Sequence, residues 1–272
     1  MYSIRLFVVV LFLSGLGLPQ AGGMKTNGPD QQPIVDQKVS SAQKDMLSAI
    51  RDGRIEVVHQ LILEGEDPNF TITLGPDCFT TPLMEAVADQ RSDIVSLLLD
   101  KGANINFASK QRCGGVLEGA AWNGDSDMVQ TLIGRGAEVD SRDGDGMTPL
   151  LVAASNAGNI ATIQVLIKAG ADVHATDNEG DTALMLAAWD MNEAAVQLFL
   201  KLGLRRCDRN KLGETAFDRA KIVIGGDQKK KARVLQLLSP VCPKETAKSN
   251  NPKHGLRYSQ LMVPLLQSKA RR

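Results

Sequence analysis

The chain is poor in the residues that catalysis draws on. Only three histidines occur in 272 residues, His59, His174 and His254, and they are far apart in the sequence. There is no CxxC pair and no Cys/His cluster, which argues against a zinc site. No G-x-S-x-G, P-loop or H-E-x-x-H pattern occurs. An enzyme is therefore not expected, nor is a cofactor or a metal. Aromatic residues make up 4% of the chain, with two tryptophans. Net charge is zero, which argues against a general nucleic-acid binder.

The one long apolar run, Leu6 to Leu18, follows Arg5 and precedes the small residues Ala21, Gly22 and Gly23. It is too short to span a bilayer comfortably and reads as a secretory signal, residues 1–23, cleaved near Ala21. No membrane span is expected after cleavage. Residues 24–40 have no period and read as a flexible linker. The periplasm is the expected location, with secretion or an N-terminal anchor as the alternatives.

What is abundant is repetition. Asp143 opens a Gly/Asp turn, and Thr148-Pro149 reads as a helix start, with Thr as N-cap and Pro at the first helical position. Leu150, Ala153 and Ala154 share one helix face, and Ile163, Leu166 and Ile167 form the apolar stripe of a second helix that Gly170 ends. The pattern returns at Thr182-Ala183-Leu184, Ala187-Ala188, Val196 and Gly203, and earlier at Thr81-Pro82-Leu83, Ala86, Val95 and Gly102. Gly115 and Thr215 start weaker copies, and Met46 to Gly65 is weaker still. Positions 81, 115, 148, 182 and 215 lie 33 or 34 residues apart. A turn and two short helices at that period describe a stacked array, in which each unit buries its apolar face on its neighbours.

Residues 41–243 therefore resemble the ankyrin-repeat family. The resemblance implies an all-α solenoid of about six helix-turn-helix repeats with hairpin fingers, which binds another protein through its concave face as a monomer. Alternatives of the same kind are an immunity or inhibitor protein that blocks an envelope or secreted enzyme, and a secreted effector. The family's usual His after Thr-Pro-Leu is replaced by Met84, Glu118, Leu151, Met185 and Asp218, so apolar packing would take over much of the bonding between repeats. Gly115 in place of Thr removes an N-cap hydroxyl.

In the ankyrin-like register, the fourth position after each helix start holds Glu85, Val152, Leu186 and Arg219, and the seventh holds both Trp122 and Trp189. Tryptophan is a favoured interface anchor. With Met147 at a finger tip and Leu186 extending an apolar patch, and with Asp145, Glu179, Asp181, Asp190 and Glu214 as an acidic rim, the expected partner has an apolar anchor and basic surroundings.

Four cysteines allow three pairings, and export would let disulfides persist. Repeat register favours Cys78–Cys113, on adjacent fingers, and Cys207–Cys242, one unit apart. From Lys44 to Arg233 there are 28 acidic and 21 basic residues, whereas the tail from Lys244 holds seven basic residues against Glu245 alone. Residues 244–272 read as a basic, largely disordered tail.

Overall fold

The computed structural model describes residues 39–75, 78–107, 114–156, 159–223 and 226–239. The expected signal, residues 1–23, most of the expected linker and the expected tail, residues 244–272, lie outside them. Twelve helices form six consecutive pairs among the described residues: α1 (Ser41–Arg51) and α2 (Ile55–Leu63), α3 (Pro82–Ala88) and α4 (Ser92–Asp100), α5 (Val116–Asn123) and α6 (Ser126–Gly134). They continue as α7 (Pro149–Ala154) and α8 (Ile160–Lys168), α9 (Ala183–Trp189) and α10 (Glu193–Lys201), α11 (Ala216–Ile222) and α12 (Gln228–Leu238). The first helices α1, α3, α5, α7, α9 and α11 pack on one another in sequence, and the second helices form a parallel row behind them. This is the expected all-α solenoid.

Local chemistry explains where each helix starts. Thr81, Thr148, Thr182 and Thr215 each accept on Oγ1 the backbone N–H three residues on, at 3.2–3.3 Å. The hydroxyl satisfies one of the donors that the first helical turn leaves without a partner. The first unit has no Thr-Pro start. Its helix α1 is held instead by a reciprocal box in which Gln43 N donates to Ser40 Oγ and Ser40 N donates to Gln43 Oε1, both at 3.0 Å. The first helices bury small and large residues together: Ala86, Ala120, Ala121, Ala153, Ala154, Ala187 and Ala188 are fully buried, and Met46, Leu83, Leu150 and Leu184 pack with them in the core. Phe199, Ile94, Leu98, Leu132, Ile163 and Leu166 fill the space beneath the second row.

The fingers are mostly turns rather than hairpins. Among the described residues, one finger forms a two-stranded antiparallel ribbon, β1 (Ile72–Gly75) with β2 (Cys78–Thr80), whose register shifts between Thr73 and Gly75. The later fingers turn on Asp-x-x-Gly. Asp143 Oδ1 accepts from Asp145 N and Met147 N at 2.9 and 2.8 Å, and Asp177 repeats this with Glu179 N and Asp181 N. Gly146 sits at φ +75°, and a Cβ there would meet the Asn178 backbone nitrogen at 2.9 Å. Glycine is needed twice over, for the left-handed backbone and for the close approach of the next finger. Asn178 N and Nδ2 donate to the Asp145 and Gly144 carbonyls at 2.9 Å, and Lys211 N donates to Glu179 O at 2.9 Å, so successive fingers are tied backbone to backbone.

Candidate functional site

In a stacked array, what each unit leaves uncovered is decided by the unit after it. Seven residues into each first helix the side chain reaches the far end of the row. There Trp189 is 45% exposed at the end of α9 and Ile222 is 42% exposed at the end of α11. Between them lies Arg219, whose guanidinium carbon stands 5.6 Å from the Trp189 ring centroid, within range of a cation–π contact. The guanidinium does not rest on the ring alone. Arg219 Nη2 and Nε both donate to the Asp181 carboxylate, the latter at 3.2 Å, and Nε lies 3.4 Å from Glu214 Oε2. Asn210 Nδ2 adds a 2.7 Å bond to Asp181 Oδ1. One buried carboxylate at the base of the fifth unit thereby fixes the arginine that presents the indole.

Trp122 occupies the same register two units earlier but is only partly accessible and packs against the core. Its carbonyl oxygen accepts from Asn156 Nδ2 of the next unit at 2.5 Å.

The structure corrects several of the expected surface residues. Met147, Val152 and Leu186 are core residues, 6%, 9% and 4% exposed, and do not extend an apolar patch beside the tryptophans. At Val152 and Leu186 the fourth helix position is covered in the stack, whereas Arg219 at the same position is half-buried. Glu85 stands at that position too and is buried, accepting from Arg51 Nε of the preceding unit at 2.5 Å. Asp181 is no part of an acidic rim: it is buried and committed to Arg219 and Asn210. Asp145 and Glu179 are exposed at the finger tips as expected, whereas Asp190 and Glu214 are half-buried.

Glu118 is the residue whose behaviour the sequence hid. It stands where the family carries His, is buried, and takes Gly115 N–H on Oε2 at 3.1 Å and the Ser141 hydroxyl on Oε1 at 2.7 Å. From the third helical position its carboxylate satisfies the Gly115 N–H, the half of a reciprocal box that does not need a side chain at 115, and it ties α5 to the finger that follows. Burial raises its pKa above the ordinary carboxylate value, with the Ser141 bond acting the other way. Asp143 and Asp177 are raised in the same sense, again by burial first. Neighbouring charges act more weakly than burial: Asp143 raises Glu118 further, Asp145 raises Asp143, and Asp181 raises Asp177 while Arg219 lowers it. His59 lies on α2 and His174 in an exposed turn. Among the described residues no group of three or more His, Cys, Asp or Glu could hold a metal ion.

Cys207 is disulfide-bonded. Cys113 and Cys242 lie outside the described residues, as does the side chain of Cys78, so both expected pairings fall outside them.

Comparison with known families settles the class. Three copies of the ankyrin repeat match residues 117–220, and a further ankyrin repeat matches 80–110. The chain is an ankyrin-repeat protein. Ankyrin arrays are protein–protein interaction modules and are generally not enzymes. No curated relative matches the chain. The first unit, Ser41 to Leu63, lies outside both matched segments yet has the same helix pair. No helix among the described residues is long and apolar enough to cross a membrane.

Proposed function

We propose that this ankyrin-repeat chain is a non-enzymatic binding module, exported from the cytoplasm, that holds another protein along the concave face bordered by its first helices, with Trp189 as the anchor. The observation that carries the reading is the exposed indole of Trp189 clamped by Arg219. A large rigid side chain fixed before binding loses little conformational freedom on binding, so more of its contact area appears as affinity. The exposed Asp145 and Glu179 at the finger tips give the same face polar contacts. Support for export comes from the Arg5 and Leu6–Leu18 pattern and from the disulfide at Cys207, which suits an oxidising compartment. Cys242 is the partner this reading assigns to Cys207, with Cys78–Cys113 as the second bridge.

The test is affinity capture of a partner from the native cell envelope by the mature chain. Trp189→Ala is expected to lower capture at least about tenfold, the loss of one anchor. Unchanged capture by that variant at full helical content removes this face from the account.

A further inference from the structure

The chemistry of the partner at that face follows from how charge is laid along the array. Residues 44–200 hold 24 acidic and 10 basic residues, whereas residues 201–233 hold 4 acidic and 11 basic. The sign reverses at the last unit, and the zero net charge of the chain conceals it.

Geometry places part of this positive charge around the Trp189–Ile222 ledge. Arg219 and Ile222 are one turn apart on α11 and share a face. Lys221 is exposed beside Ile222. Lys231 Nζ donates to the Lys221 and Val223 carbonyls at 3.0 and 2.6 Å, which holds the start of α12 against the end of α11. Lys229 and Lys230, both exposed, are therefore carried to the same end of the unit. Arg233 Nη1 reaches Glu193 Oε2, at the start of α10, at 3.5 Å, so α12 also borders the turn that follows Trp189.

The carboxylates of this segment are already engaged. Asp208 pairs with Arg205 at 2.8 Å and Glu214 with Arg219 at 3.4 Å. Asp218 accepts from Thr215 N and Oγ1, and Asp227 accepts the Lys229 and Lys230 backbone N–H groups at the start of α12. Lys221, Lys229 and Lys230 have no carboxylate partner among the described residues. An apolar ledge is thus bordered by cations that the fold itself does not use.

We propose that this ledge takes an acidic segment of the partner protein, with an apolar side chain seated against Trp189 and Ile222 and carboxylates on Lys221, Lys229 and Lys230. The proposal rests on the reading of this face as protein-binding, and it replaces the basic partner expected from the sequence. The same cations disfavour the chain's own tail, with its seven basic residues and one acidic. Each exposed pair contributes at most about fivefold in affinity. The apolar anchor therefore sets the strength, and the lysines set charge preference and salt dependence.

The test titrates the full chain with short synthetic peptides that carry a Leu-Phe anchor flanked either by Glu and Asp or by Gln and Asn. The acidic peptide is expected to bind at least about tenfold tighter at low salt, and the gap should narrow as screening increases. Lys221→Glu with Lys230→Glu, both surface positions, should abolish or reverse the preference while the circular dichroism spectrum is unchanged. Equal binding of the two peptides, or no binding of the acidic one, overturns the proposal. Retention on phosphatidylglycerol vesicles with no peptide bound overturns it in favour of a bilayer. Self-association that the lysine reversal removes overturns it in favour of a second copy. If capture of the native partner falls with Trp189→Ala but not with the lysine reversal, the face keeps its role and only its charge preference is wrong. If neither variant lowers capture, both readings fail.

Discussion

Trp122 and Trp189 occupy the same position in units two apart, and the array treats them differently. After Trp122 the chain turns through Gly124 at φ +72°, and Asn156 of the next unit caps the Trp122 carbonyl. After Trp189 it turns through Met191 at φ +55°, and the next unit offers Arg219, which stands over the ring and leaves nearly half the side chain accessible. The two indoles have the same local sequence role and different fates because the neighbour decides. One tryptophan belongs to stability and the other to the surface.

The variant that should break this contrast most strongly is Asp181→Ala. It strands Arg219 and Asn210 in a mostly buried setting and frees the guanidinium from its place beside Trp189. Breaking a buried pair by removing one partner costs about 3 kcal/mol, to be read by chemical denaturation, and the emission of Trp189 should shift red as its neighbour is released. Trp122→Ala should cost about 2 kcal/mol, less than a fully buried tryptophan, with partner capture retained. An equal stability loss for Trp122→Ala and Trp189→Ala would dissolve the distinction.

Glu118→Gln sharpens it from the side of the third unit. The folded pKa of Glu118 is raised, so its buried carboxylate form is disfavoured. Stability linked to this group is fully present below the ordinary carboxylate range and is lost as pH rises through the raised value. Gln keeps an acceptor for Gly115 N–H and a donor toward Ser141, and it carries no charge. The variant should therefore be more stable than the parent at neutral pH, with a flatter pH profile above the acid range, measured by melting temperature across pH. Asp143 and Asp177, raised in the same sense, would leave a residual slope. Trp189→Ala should change stability least, by under about 1 kcal/mol, because the exposed indole fills no cavity.

The framework was legible because it is written in local chemistry. Thr81, Thr148, Thr182 and Thr215 announce helix starts by residue type alone, and their spacing gives the period. The face was harder to read, because which first-helix position is covered depends on contacts a whole unit away. Val152 and Leu186 look outward on an isolated helix and are buried in the stack. Arg219 and Asp181 are 38 residues apart, a period plus a helical turn, so a search for opposite charges at that spacing would have found the pair. Arg51 and Glu85, 34 residues apart, would have appeared in the same search. Glu118 departs from the family's His, and its type alone does not tell whether it faces water. The reversal of charge in the last unit was countable, and averaging over the whole array concealed it.

The most direct measurement uses each tryptophan as its own reporter. In Trp122→Phe the only indole is Trp189, and in Trp189→Phe it is Trp122. On addition of the captured partner, the account predicts a blue shift and protection from acrylamide quenching for Trp189, with the Trp122 signal unchanged. Protection of Trp122 with Trp189 still open to the quencher would contradict it.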